Sequence, residues 1–253
     1  MDIFLNRDIA QLILLQRIEL STPFLKRIRK LSGRFFFTNF ASKYFISPKR
    51  IGKKYQKIMQ NEYDELAEFI NFDNKRVLSI GGGMCGFELL TILNNQNTNI
   101  SIIERNFLSN KIVYGWDKEN KEAYSNLNLI KFFFEKNGID KKYFSIYDFD
   151  FDELPEKEFD IIISLYSMDY HYDFNLYFDY FKKIINKQTK LIFDTIRPNY
   201  FKNLFNIVET VKSVQNTVHK SYRIILPPTL QEFLREDAQC LVDKKILLKN
   251  LTK

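Results

Sequence analysis

The sequence predicts an α/β chain: a doubly wound, mainly parallel sheet flanked by helices, preceded by an N-terminal helical segment. Three observations carry this. From Arg76 onward, short apolar runs alternate with helical patterns at the spacing of strand–helix–strand units, the signature of a parallel sheet. Four of the eight glycines fall in Gly81–Gly86, directly after the apolar run "RVLSI". Acidic residues then close the next two strand-like runs, at Glu104 and Asp148.

The elements follow in order. Residues 8–31 have helical periodicity, with Ile9, Leu12, Ile13, Gln16 and Leu20 on one side, and Pro23 divides them into two helices. "SGRFFFTNF" (32–40) reads as a break and an apolar anchor. Residues 49–71 form a further helix, with Ile58, Met59, Tyr63, Leu66, Phe69 and Ile70 at three- and four-residue spacing. Strands are expected at 76–80, 99–104, 142–148, 159–166, 189–196 and 220–226. Helices are expected at 87–95, 123–138 (closed by Gly138), 175–185 and 200–215. The organisation is therefore a basic helical segment at 1–72, an α/β domain at 73–226 and a tail at 227–253.

Composition narrows the class. The chain has 253 residues, 45% of them hydrophobic, with 25 Phe and 14 Tyr, enough for one globular domain with an appendage or two small ones. Two cysteines, Cys85 and Cys240, give neither a disulfide framework nor a metal cluster, which fits a reducing cytoplasm. The start "MDIFLNRD" has no signal-peptide character, and no apolar run is long enough to span a bilayer. Residues 1–57 hold thirteen Lys/Arg against three Asp/Glu, so this segment carries +10 while the formal net charge is +7. Such a segment is a solvated face, a surface for an anionic substrate, or an arm touching acidic lipid or nucleic acid.

Sheets of this kind bind ligands at the carboxyl ends of their strands. Gly81, Gly83 and Gly86 fit G-x-G-x-x-G between a strand and a helix, with Gly82 inside the turn. A carboxylate such as Glu104, at the end of the next strand, accepts hydrogen bonds from ribose hydroxyls. The pair points to an adenosine-containing ligand. Asp148 supplies a further acceptor for an adenine amino group, and "FD" (Phe159, Asp160) opens the fourth strand.

In these residues, from Val77 to Ser164, the chain resembles class I S-adenosylmethionine-dependent methyltransferases. The resemblance implies a Rossmann-like fold and a site that binds S-adenosyl-L-methionine and releases S-adenosyl-L-homocysteine. Gly81, Gly82 and Gly83 would line the methionine part, Glu104 would hold the ribose and Asp148 the adenine, with Ser79 and Ser164 at the strand ends beside them. Two positions depart from the family pattern. Ser79 stands where an acidic residue is usual, and Cys85 where glycine is usual, a role the neighbouring Gly86 is placed to take.

"SLYSMDYHYDF" (164–174) is similar to the "S-x-x-S-x-x-x-H-Y" segment of bacterial sugar O-methyltransferases, as are "IVYGW" (112–116) and "FDTIRP" (193–198). That closer resemblance implies a hydroxyl acceptor on a surface-polysaccharide precursor, or a phosphorus-linked group such as a capsule phosphoramidate. His171 suits general-base work at neutral pH, with Asp169 as its rival. Tyr114, Trp116, Tyr166, Tyr170 and Tyr172 are candidates to stack on the substrate. Arg197 could grip an anionic group or pair with Asp194, and Lys49, Arg50, Lys53 and Lys54 add positive charge.

Other classes compete. A nicotinamide-dependent oxidoreductase fits the literal glycine fingerprint, and an RNA methyltransferase fits the basic N-terminus. A degenerate partner subunit or membrane-associated module fits the departures at Ser79 and Cys85. Against RNA, no RNA-binding module or "NPPY"-type motif is visible. The expected partner is a small molecule or glycan precursor, without nucleic acid, metal or stable membrane insertion. The expected location is cytoplasmic, with peripheral attachment to the inner membrane left open. Nothing in the sequence indicates an oligomeric state.

Overall fold

The computed structural model describes residues 3–106, 125–169, 174–186, 188–195, 199, 201, 209–215 and 220–226. The described strands are β1 (Arg76–Ile80), β2 (Asn99–Glu104), β3 (Phe144–Asp148), β4 (Ile161–Ser164), β5 (Lys190–Thr195), β6 (Glu209–Gln215) and β7 (Lys220–Leu226). Their order is β3-β2-β1-β4-β5-β7-β6. The five strands β3-β2-β1-β4-β5, flanked by helices, are the parallel, Rossmann-like arrangement expected. The chain packs as two compact units: Met1–Asn74 with Gly82–Leu154, and Lys75–Gly81 with the described residues from Pro155 onward.

In the first unit, β2 and β3 run parallel with Ile100 opposite Phe144 and Glu104 opposite Asp148. Helix α1 (Arg7–Gln16) is capped by Asn6, whose side chain accepts from the Ile9 amide at 2.8 Å, and buries Ile9, Leu12, Ile13, Leu14 and Leu15. A short 3₁₀ turn follows, and α2 (Pro23–Phe36) begins at Pro23 as expected. The break expected in 32–40 falls at Gly33 (φ 79°, ψ 172°), where two helical pieces meet at a kink, and a π-helical turn, Phe37–Ala41, follows. Among the described side chains of that stretch, the apolar anchor is Phe37, which is fully buried. After α3 (Ser42–Tyr44), helix α4 (Pro48–Ala67) opens on Ser47 and Pro48, a cap and first-turn pairing suited to a helix start. Helix α5 (Gly86–Asn94) follows the glycine turn. Helix α6 (Leu127–Lys136) is shorter than its apolar pattern suggests and is closed by Gly138 at φ 82°.

In the second unit, Val77–Ser79 of β1 lie opposite Ile161–Ile163 of β4, and Ile161–Ser164 lie opposite Lys190–Phe193 of β5. Helix α7 (Phe178–Ile184) buries Phe178, Phe181 and Ile184. Phe174, Phe193 and Phe201 join it, with ring centroids 4.8–5.4 Å apart among the three. The expected helix at 200–215 is corrected at 209–215. Residues 209–215 form β6, antiparallel to β7, which is itself antiparallel to β5. In "ETVKSVQ" the apolar Val211 and Val214 are three residues apart, a helical rather than a strand spacing, and pairing with β7, with a register shift between Thr210 and Lys212, overrides it.

Candidate functional site

The glycine turn is built for backbone contact. Ser79 and Ile80 before it and Met84 and Cys85 after it are buried, whereas Gly81, Gly82 and Gly83 are partly exposed. The accessible part of the turn is therefore peptide group without side chain. Gly81 has φ +70°, and a Cβ there would stand 1.9 Å from Ser167 Oγ and 2.5 Å from Ser167 Cβ. Gly81→Ala is expected to cost about 2–4 kcal/mol, from left-handed backbone strain and overpacking together. Urea unfolding measures this, and Ser167→Gly should return the packing part.

At Gly86 the constraint is packing, because a Cβ would meet the Tyr55 ring at 2.6 Å. Gly86 does not take over the left-handed position. Cys85 does, at φ 56° and ψ 39°. Its thiol is buried, and burial, with Glu88 and Glu104 nearby, pushes its pKa well up, so it is not a reactive thiolate.

Protein side chains take three amides of this turn. The Gly83 amide donates to Glu104 Oε2 at 2.8 Å, the Met84 amide to Gln16 Oε1 at 3.1 Å and the Gly86 amide to Tyr55 Oη at 2.9 Å. Burial raises the Tyr55 hydroxyl pKa, so it remains a neutral phenol. Gln16 and Tyr55 were not among the expected site residues. One signal for Gln16 was available: it is the polar member of an otherwise apolar helical stripe. Tyr55 offered none, since an aromatic on an amphipathic helix reads as core.

Glu104 ends β2 and Asp148 ends β3, at the same register position. Glu104 Oε1 accepts from the Arg105 amide at 2.9 Å. Desolvation raises the Glu104 carboxyl to about 7, against the pull of the Arg105 and Gly83 amides toward the ionised form. Asp148 is buried, and its Oδ1 accepts from the Asp150 amide at 3.1 Å. Just beyond the strand ends, Arg105 pairs with Asp150 at 3.5 Å and lies 4.7 Å from the Phe149 ring centroid.

In the second unit, Ser164 is buried, donates to the Ile80 carbonyl at 2.8 Å and accepts from the Met168 amide at 3.0 Å. Its hydroxyl fastens the segment after β4 to the end of β1. Tyr166 (φ 57°) and Asp169 (φ 67°) are both left-handed, so this segment is strained twice within four residues. Asp169 is buried, and Thr195 Oγ1 donates to its Oδ2 at 2.5 Å. Asp194 pairs with Arg223: the guanidinium donates to both carboxylate oxygens, at 2.9 and 3.0 Å. Tyr166 lies 5.9 Å from that guanidinium. His171, Tyr170, Tyr172, Tyr114, Trp116 and Arg197 lie outside the described residues. Among the described residues, no group of three or more His, Cys, Asp or Glu is placed to hold a metal ion.

No protein-family model and no curated protein sequence matches the chain. Solved structures do. The chain is structurally similar to S-adenosylmethionine-dependent methyltransferases. Magnesium protoporphyrin IX methyltransferase from Synechocystis PCC 6803, solved with bound S-adenosylmethionine, matches at 13% identity and TM-score 0.43, over 90% of this chain and 100% of its own. A dimethyladenosine transferase from Plasmodium falciparum matches at 15% and 0.46, over 70% of this chain and 64% of its own. Precorrin-6y C5,15-methyltransferase from Geobacter metallireducens GS-15 matches at 14% and 0.42, over 72% and 89%. Likeness at this level carries no residue role across; the fold rests on the strand order and register above.

Proposed function

We propose that the chain is an S-adenosylmethionine-dependent O-methyltransferase acting on a small, anionic precursor of a surface polysaccharide. One observation carries the cofactor part: the Glu104 carboxylate closes on the Gly83 amide at the carboxyl end of β2, in register with Asp148. The residues fit an adenosine. The two oxygens of Glu104 accept one amide proton each, out of about four lone-pair positions on a carboxylate, so acceptor capacity is left for a ribose diol.

When bound, S-adenosylmethionine supplies a methyl group on a sulfonium centre. Glu104 would orient the ribose, Asp148 would accept from the adenine amino group, and the turn would hold the remainder by backbone contact. Methyl transfer to a hydroxyl needs alignment and removal of one proton. His171 is the proposed base. Asp169 is the less suitable rival, since it is buried and already accepts a hydrogen bond from Thr195. His171→Ala should keep cofactor affinity and lose about 10²-fold or more in turnover. Near-normal turnover would transfer the role elsewhere. Arg197, with Lys49, Arg50, Lys53 and Lys54, is the proposed source of anion preference. The hydroxyl acceptor and its glycan origin rest on the likeness of residues 164–174 to sugar O-methyltransferases.

Calorimetric titration with S-adenosylhomocysteine, with NAD as control, tests the reading. Binding of the former alone supports it. Binding of NAD alone replaces it with an oxidoreductase.

A further inference from the structure

An amphipathic helix in a folded chain turns its apolar stripe inward. Helix α2 leaves one outside. Phe24, Ile28 and Leu31 are spaced i, i+4, i+7 on one face, and Phe24 is 59% and Leu31 87% exposed, whereas the buried Leu25 points another way. Beyond the Gly33 kink, Phe36, Phe40 and Tyr44 continue an exposed row at four-residue spacing, with ring centroids 5.1 and 5.0 Å apart. Phe45 closes the patch, 5.8 Å from Phe40 and 6.3 Å from Phe24. Contiguous apolar surface of this kind marks a partner.

The charge around it says which kind. Residues 20–61 contain eleven Lys/Arg and no Asp/Glu. Lys26, Arg27, Lys30 and Lys43 are exposed beside the patch, and the Lys43 ammonium lies 5.8 Å from the Tyr44 ring centroid. The partner is therefore both anionic and apolar. A bilayer with acidic headgroups offers both at one depth: phosphates for the cations and an acyl boundary for Phe and Leu. The most exposed apolar residue is aliphatic, which favours lipid over nucleic acid, since Leu31 offers no ring for a base to stack on. Among the described residues, no helix is long and apolar enough to cross a membrane, so the contact would be with a surface.

We infer that α2 and the aromatic turn after it dock on an anionic lipid surface, with α2 lying in the interfacial plane. The test is flotation of the full chain with phosphatidylcholine vesicles, with and without phosphatidylglycerol, at low and high salt. Salt-sensitive binding to the phosphatidylglycerol vesicles alone is expected. Leu31→Asn should weaken it about tenfold or more, by removing an exposed apolar group. Arg27→Gln with Lys30→Gln should weaken it about thirtyfold. Leu31 is so exposed that Leu31→Asn should leave the unfolding midpoint unchanged, which separates lost docking from lost folding. Absence of vesicle binding overturns the inference, as does binding that both variants retain. A concentration-dependent dimer lost in Leu31→Asn would assign the face to a second copy, and salt-sensitive binding of single-stranded RNA without vesicle binding would assign it to nucleic acid. Either result overturns the lipid assignment.

Discussion

Replacing Arg223 with Met lowers the unfolding free energy by about 3–5 kcal/mol. Arg223 and Asp194 are direct partners across β5 and β7, with side chains 1% and 0% exposed. Both charges have left water, and the two parallel hydrogen bonds at 2.9 and 3.0 Å offset part of that cost. Removing the guanidinium leaves a carboxylate buried without its cation. The measurement is the urea midpoint at neutral pH. The double variant Arg223→Met with Asp194→Leu should recover most of the loss, because an apolar pair of similar size carries no desolvation cost. A single variant that costs under about 1 kcal/mol would mean that the pair is open to water in solution.

Glu104→Gln should abolish measurable S-adenosylhomocysteine binding while leaving the chain folded. Gln retains one carbonyl acceptor for the Gly83 amide but cannot accept from two hydroxyls as a carboxylate does. The pH dependence gives a second readout. Burial raises the Glu104 carboxyl from the ordinary 4.5 to about 7. A diol donates to the ionised form, so wild-type affinity should fall about tenfold per pH unit below about 7 and level off above it.

The stability linkage has the opposite sense. A carboxyl whose folded pKa lies above its unfolded value contributes stability that is fully present below about 4.5 and is lost as pH rises through about 7. At pH 8, free of ligand, Glu104→Gln should therefore unfold at or above the wild-type temperature. Unchanged binding in this variant would remove Glu104 from the site and, with it, the main support for an adenosine cofactor.

Much of the framework is legible in the sequence. Apolar runs of four to six residues bounded by turn residues located β1, β2, β4 and β5, because strands buried on both faces need near-continuous apolar residues. Gly81–Gly83, Glu104 and Asp148 were legible because strand, turn and helix follow one another along the chain, and each residue's place relative to its own strand end is local. Pro23 and Gly138 were legible for the same local reason, as breakers of helix geometry.

What needed tertiary structure is what depends on partners far apart in sequence. "ETVKSVQ" has its two valines at helical spacing, and only pairing with β7 makes it β6. The cation paired with Asp194 is Arg223, twenty-nine residues away on a neighbouring strand. That Gln16 and Tyr55 satisfy the Met84 and Gly86 amides depends on α1 packing on α4 and α4 on α5. The stripe on α2 has the pattern of a core helix, and only the packing leaves Leu31 outside. Periodicity specifies which residues share a face; what that face meets is set by surfaces brought together when the whole chain folds.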